Sequence, residues 1–159
     1  PQPVFSSPTP TSLPSITDGG GDDVAFIGCH DGKLRALRIS DGSLLWCTAL
    51  PPGPKLEPSR GAIFSKPLLL PHPDDSHAMV CVATCSGRLC LLDGRSGRLV
   101  SSTATWAVDG ELFSSPVAVG DRVLVGCRDD HLYCLQLGRG STPPPSTGPT
   151  ASSLTSDST

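Results

Sequence analysis

The feature that most narrows the folding choices of this chain is an internal repeat. The tetrapeptide Phe5-Ser6-Ser7-Pro8 returns as Phe64-Ser65-Lys66-Pro67 and again as Phe113-Ser114-Ser115-Pro116, at spacings of 59 and 49 residues. Downstream of each copy, an apolar run ends on a small residue and passes through a turn into a second apolar run, at 24–37, 79–92 and 122–135. These segments align without a gap: Gly28, Ala83 and Gly126 coincide, as do Leu34, Leu89 and Leu132, and Cys29 meets Cys127. In the first two units a Gly-x-Leu element follows, Asp41-Gly42-Ser43-Leu44-Leu45-Trp46 and Ser96-Gly97-Arg98-Leu99-Val100-Ser101. Repetition at this period marks a unit that cannot bury its apolar faces alone and must stack on its neighbours.

The units themselves read as β-structure. The 17 glycines and 17 prolines fall mostly between short apolar runs, which leaves no room for long helices. Strands are expected at 24–28, 33–39, 43–50, 62–70, 78–84, 88–92, 98–105, 111–119, 122–127 and 131–137. They are rich in Val, Leu, Ile and Phe and are bounded by Asp-Gly, Ser-Gly or Gly-Asp pairs that suit tight reversals. Residues 9–23 read as a long loop, and so does 51–60 with its four prolines.

Four short antiparallel strands per unit make one propeller blade, and the Phe of each Phe-Ser-x-Pro copy is well placed for a contact between blades. The expected class is all-β, an incomplete β-propeller of about two and three-quarter blades. The start of the first blade and a loop fall in 1–23, the first blade in 24–61, the second in 62–110 and a partial third in 111–137. The Gly/Ser/Thr/Pro-rich segment 138–159 has too little apolar surface to offset its ordering entropy and reads as a disordered tail. Closed propellers usually need more blades than this. The remaining blades are therefore expected upstream in a longer parent chain, a simpler reading than assembly of several chains and one that also suits Pro as residue 1.

Composition removes several classes of function. A formal charge of −3 offers no basic footprint for nucleic acid. There is no run of 18 apolar residues, so no membrane helix is expected, and the Pro/Ser/Thr-rich start is unlike a secretory leader. Seven cysteines, at 29, 47, 81, 85, 90, 127 and 134, form an odd set without a C-x-x-C pair. That argues against a zinc ribbon or a complete disulfide framework and for a reducing, cytoplasmic setting. The chain has no Asn and so no N-glycosylation acceptor.

Residues that could carry chemistry are few, and each has a plainer reading. Cys29, His30 and Asp31 could ligate a metal or activate a nucleophile. Their counterparts in the other units, Cys85-Ser86 and Arg128-Asp129, do not repeat the set, so a turn is the better reading. Cys81, Cys85 and Cys90 match no common zinc spacing and suit small buried hydrophobes. Asp18, Asp22 and Asp23 around a triple glycine lack the ligand pattern of a calcium loop. His72, His77, Asp74 and Asp75 fall in a surface loop. Trp46 and Trp106 could stack on a planar ligand, but an aromatic in a blade is more often core. Phosphate loops and G-x-S-x-G elbows are absent.

The stretch 24–46, with Gly28, Asp31-Gly32-Lys33-Leu34, Ala36-Leu37, Asp41-Gly42 and Leu45-Trp46, resembles the pyrroloquinoline quinone (PQQ)-like repeat of quinoprotein propellers. That pattern runs roughly G-s-x-D-G-x-L-y-A-L-D-x-x-t-G-x-x-x-W. The resemblance implies that Gly42 and Trp46 dock neighbouring blades. Arg38 stands where the family has an acid, Asp93 restores it in the second unit, and Ser101 replaces the Trp there. DGELFSSPV and GCRDDHLYCLQL further resemble the C-terminal propeller of adenylate-forming, carrier-linked enzymes of the acyl-CoA synthetase family. No AMP-binding or phosphopantetheine motif matches, so no catalytic residue carries over, and no cofactor or metal is assigned.

The structural repeat positions are accordingly Phe5, Pro8, Gly28, Gly42, Trp46, Phe64, Pro67, Gly97, Phe113, Pro116 and Gly126. The candidate contact residues are His30, Asp31, Arg128 and Asp129, in the turns 29–32 and 127–130, with 84–87 between them. The expected role is a non-catalytic scaffold that meets the parent's other blades and catalytic domains, and a protein partner or carrier domain. Neither nucleic acid nor membrane is expected. The alternatives are a fragment of a PQQ-binding quinoprotein dehydrogenase and an extracytoplasmic assembly factor.

Overall fold

A computed structural model describes residues 3–13, 22–53, 61–71, 78–100 and 105–137. The described strands form three antiparallel sheets. The first contains β1 (Thr9–Leu13), β2 (Asp22–Gly28), β3 (Lys33–Arg38) and β4 (Leu44–Ala49). The second contains β5 (Leu68–Pro71), β6 (Ala78–Thr84), β7 (Arg88–Asp93) and β8 (Thr105–Ala107). The third contains β9 (Val117–Val119), β10 (Arg122–Gly126) and β11 (Leu132–Gln136). Each sheet runs in chain order, and no described residue is helical.

The repeat is reproduced down to its register. Gly28 pairs with Leu34, Ala83 with Leu89 and Gly126 with Leu132. Reversal requires a left-handed residue at one fixed place, occupied by Gly32 (φ 74°), Gly87 (φ 80°) and, in the third unit, Asp130 (φ 65°). Asp tolerates that region better than most side chains.

The alternation of strand side chains explains how three sheets make two cores. On β6 and β7, Val80, Val82, Cys90 and Leu92 meet Val24, Phe26, Leu34 and Ala36 of the first sheet. The intervening Met79, Cys81, Leu89 and Leu91 meet Val123, Val125 and Leu135 of the third. The middle sheet is thus covered on both faces, and its strands read as continuous apolar runs. Leu34 and Leu89 are 0% and 1% exposed, whereas their counterpart Leu132 is 47% exposed. Its face has no covering sheet among the described residues.

Three expectations change. Phe-Ser-x-Pro is not itself a strand: β1, β5 and β9 each begin at the residue after its proline, so the strands expected from 62 and 111 start only at Leu68 and Val117. The motif's polar groups bond to other segments instead of to a ladder partner, and proline has no N–H to donate. Second, the part of 9–23 read as loop contains a strand. β1 pairs with β2 from Thr9↔Phe26 to Leu13↔Asp22, and the Thr9 hydroxyl donates to the Pro67 carbonyl at 2.6 Å. Third, the last described strand of the second unit is Thr105–Ala107, which extends past the end expected at 105. Leu99 bridges Leu92 as Leu44 pairs with Leu37, and Thr105–Ala107 pairs with β7, while 101–104 lie outside the described residues. Segment 138–159, His72, Asp74, Asp75, His77, Asp18 and Ser101 lie outside the described residues.

Candidate functional site: an aromatic ladder across the repeats

The three Phe-Ser-x-Pro copies lie side by side, and their second-position serines show why. Ser65 is fully buried; its hydroxyl donates to the Ala83 carbonyl at 2.8 Å and accepts from the Ala83 N–H at 3.2 Å. Ser114 donates to the Gly126 carbonyl at 2.7 Å, and Ser6 donates across to the Ser65 carbonyl at 2.9 Å. A small residue is needed opposite the motif: a Cβ on Gly28 would come within 2.2 Å of Ile63 and 3.4 Å of Ser6. The Lys66 N–H donates to the Ser115 hydroxyl at 2.9 Å, tying the second copy to the third. Prolines 8, 67 and 116 close each copy and release the strand that follows.

With the serines bonded to backbone carbonyls, the phenylalanines form a ladder. Ring centroids are 5.6 Å apart for Phe5 and Phe64, stacked at 26°, and 5.1 Å apart for Phe64 and Phe113, tilted at 41°. His30 sits edge-on to both Phe5 (6.1 Å) and Phe64 (5.7 Å). The Arg128 guanidinium lies 5.6 Å from the Phe113 ring centre and is held by Glu111 at 2.8 Å. Two of the four candidate contact residues, His30 and Arg128, therefore converge on the ladder. Phe5 is 61% exposed, Phe113 40%, and Phe64 stays partly exposed although it is flanked on both sides.

The other two contact candidates serve their own turns. Asp31 accepts both guanidinium nitrogens of Arg35, at 3.0 and 2.6 Å, and the Lys33 N–H. The Arg35 hydrogen bond holds its carboxyl below the usual carboxylate range. Asp129 accepts the Tyr133 hydroxyl at 2.6 Å and the His131 N–H at 3.1 Å. Desolvation works against its ionisation, yet the Tyr133 and Cys127 hydrogen bonds lower its pKa. The same contact pushes the Tyr133 phenol up to about 12.

The inter-sheet dock falls at Trp46. Its indole N–H donates to the Gly94 carbonyl at 3.0 Å, its ring lies 5.6 Å from Phe26, and a Cβ on Gly97 would approach it to 2.6 Å. Gly42 (φ 72°) has open space where a Cβ would project, so it shapes its own turn and touches no neighbour, unlike its counterpart Gly97 (φ 69°). In the second unit Trp106 pairs opposite Leu89, the register place of Thr48 opposite Leu34. It packs against the core facing the third sheet. Trp46 and Trp106 thus face different sheets and form no shared slot for a planar ligand.

The metal and nucleophile candidates diverge in the same way. Cys29 is buried, His30 points at the phenylalanines and Asp31 at Arg35. Cys81 and Cys90 lie on opposite faces of the middle sheet, and Cys85 is buried in a turn. Among the described residues no group of three or more His, Cys, Asp or Glu side chains could hold a metal ion. The recurring Phe was expected at a contact between blades, and the ring pairs bear that out; what the sequence did not show is that the three rings form one continuous, partly exposed ladder.

A family profile described as outer membrane protein assembly factor BamB matches residues 2–143. The beta-alanine-activating enzyme of Danio rerio is 34% identical over 135 residues, covering 84% of this chain and 11% of that protein. The enzyme of the same name from Homo sapiens is 30% identical over 117 residues, covering 73% and 10%. Among solved structures, BamB from Moraxella catarrhalis superposes with a TM-score of 0.58 at 24% identity, covering 94% of this chain and 36% of that one. Saccharomyces cerevisiae Sqt1 superposes at 0.61 with 16% identity, covering 86% and 33%. The chain spans about a tenth of the length of the curated relatives it matches.

Proposed function

The chain belongs to the BamB-type family of PQQ-like propeller repeats, and from that premise we propose that it is a non-catalytic interaction module of a beta-alanine-activating, adenylate-forming enzyme. One observation carries the reading. Most positions that the units share are spent on packing and turn geometry, while the second turn position, which faces outward beside the ladder in the first and third units, differs in every unit: His30, Cys85 and Arg128. A catalytic centre needs particular groups converging on one reacting atom; a scaffold needs a repeated core and a varied surface. In this reading the parent supplies the remaining blades and the catalytic domains, and the module holds a partner or carrier domain. Seven free thiols support a cytoplasmic setting.

The test is deletion of the propeller from the full-length enzyme. Beta-alanine-dependent exchange of pyrophosphate into ATP should persist, while transfer of the activated acyl group onto the carrier should fall. Abolished exchange would make the module part of the catalytic centre. Defined-stoichiometry uptake of PQQ, followed by its absorption spectrum, would favour the quinoprotein alternative.

A further inference from the structure

We propose that the open edge of β11 takes an extended, proline-free segment of a separate partner protein as a fourth strand, held antiparallel in the place that β4 and β8 fill in the first two sheets. The inference rests on the interaction-module reading and names the partner's chemistry.

Backbone hydrogen bonding is the first argument. The third sheet has three strands where the others have four, and β11 lies at its edge. Bonds from the Cys127 N–H to the His131 carbonyl and from the Leu137 N–H to the Asp121 carbonyl set the alternation along β10 and β11. Tyr133 and Leu135 therefore turn their backbone groups to β10, while Leu132, Cys134 and Gln136 turn theirs away from it. In the second unit the matching groups are engaged. The Asp93 N–H donates to the Arg98 carbonyl at 2.8 Å, and the Leu91 carbonyl accepts from the Val100 N–H at 3.0 Å. Their counterparts, the Gln136 N–H and the Cys134 carbonyl, meet no strand among the described residues.

This edge is also the unguarded one. Proteins blunt edge strands with prolines, bulges, lysines or short length. Here β1 carries Pro10, β4 has an extra residue where its register shifts, β5 ends on Pro71, and β8 and β9 have three residues each. β11 has neither charge nor proline and pairs in regular register along its whole length. Among the described edge strands it is the one fit to template another.

The chain's own continuation cannot fill the place. Extending the repeat alignment sets Gly140 with Gly42 and Gly97, and Pro143, Pro144 and Pro145 with Leu45, Trp46 and Cys47. Three successive prolines have no N–H to give to a ladder. Complete units keep their fourth strand for themselves, as β4 and β8 do, so further blades of that kind leave none to spare. The repeat also sets the incoming side chains. Trp46 lies opposite Ala36 and Trp106 opposite Leu89, the places that match Cys134 and Leu132. Leu132 is 47% exposed. A segment with bulky apolar side chains at alternate positions covers it while the two backbones pair.

The test combines fluorescence anisotropy and hydrogen–deuterium exchange on the 159-residue chain. The probe is a labelled peptide of residues 43–49 bearing Cys47→Ser, the strand that takes this place in the first unit. A control peptide adds Thr48→Pro, which removes a ladder donor and keeps the indole. The probe should bind about tenfold or more tighter than the control and should slow exchange of the Leu132, Cys134 and Gln136 amides. Leu132→Lys, a surface change, should weaken binding severalfold with far-UV circular dichroism unchanged. Pro143→Leu, Pro144→Trp and Pro145→Thr together should supply the strand within the chain, slow the same amides without peptide and abolish binding of the probe.

Equal binding of the two peptides, protection at another edge, or indifference to Leu132→Lys overturns the β11 site. Slow exchange of these amides in the full-length enzyme alone would mean that the parent fills the edge, and concentration-dependent protection without peptide that a second copy does; either overturns the partner strand. Failure of the parent reading shows separately. If deleting the whole propeller leaves acyl transfer to the carrier intact, the module reading falls whatever the peptides do. If deletion impairs transfer but the edge is already protected in the full-length enzyme, only the partner strand falls.

Discussion

Gly42 and Gly97 offer a controlled test of how the first two sheets are joined. They are repeat counterparts with nearly the same backbone angle, φ 72° and 69°. Alanine at either place costs about 1 kcal/mol for holding an L residue in the left-handed region. At Gly42 the new methyl meets nothing within 4 Å, so the cost should end there. At Gly97 the methyl would lie 2.6 Å from Trp46 Cδ2 and Cε3 and 2.9 Å from Thr48 Oγ1. Overpacking of that kind adds about 1–3 kcal/mol, for about 2–4 kcal/mol in total. Trp46→Ala should itself cost about 2–3 kcal/mol, below the value for a fully buried indole because Trp46 is only half-buried. In that background Gly97→Ala should fall to about 1–2 kcal/mol, since the clashing ring is gone and only the Thr48 hydroxyl contact remains. Urea unfolding followed by circular dichroism, with m unchanged, reads all four values. Equal costs for Gly42→Ala and Gly97→Ala, or a Gly97 cost untouched by Trp46→Ala, would show that the indole does not rest on the second sheet.

Other outcomes follow from the same packing. Gly28→Ala should lower stability by about 2–3 kcal/mol because its Cβ would collide with Ile63, whereas Gly126→Ala, whose nearest neighbour is the Ser114 hydroxyl at 3.3 Å, should cost under about 1 kcal/mol in the same melts. Ser65→Ala strands the Ala83 N–H and carbonyl in the core and should cost about 1–3 kcal/mol. Asp130→Gly removes the one left-handed non-glycine residue among the described residues and should raise stability by about 0.5–1 kcal/mol. Burial pushes the Cys90 thiol up to about 12, and that of Cys81 up as well, from an ordinary 9.0. A raised pKa favours the neutral thiol in the fold, so stability should hold below about pH 9 and decline as pH rises toward 12. Native-state thiol labelling should accordingly reach the exposed Cys47 and spare Cys81 and Cys90 until unfolding.

The repeat made the hairpins of each unit legible because their determinants are local. Apolar runs meeting at a left-handed residue place Gly28 opposite Leu34, and the ungapped alignment carries that pairing to Ala83 and Gly126. Contacts between units were harder to read. β1 is held by β2 and by a hydrogen bond from Thr9 to a carbonyl 58 residues away, so a short window shows only Thr, Pro and Ser. In the second unit Ser101 aligns with Trp46, yet Trp106 pairs opposite Leu89 where the first unit has Thr48, a correspondence invisible until strands are paired. The ladder was legible as three phenylalanines but not as a surface. Whether those rings turn inward or outward depends on Ser65 and Ser114 finding partners 18 and 12 residues on.

The central claim is that the three sheets stack in sequence, the second lying between the others. Nuclear Overhauser contacts among methyl and aromatic protons test it most directly. Val80 and Val82 should contact Phe26 and Leu34, Met79 and Leu91 should contact Val123 and Leu135, and Val24 should show none to Val123. A direct contact between Val24 and Val123, with the second sheet silent toward either, would mean a two-layer sandwich and would remove the basis for the ladder as well as the fold.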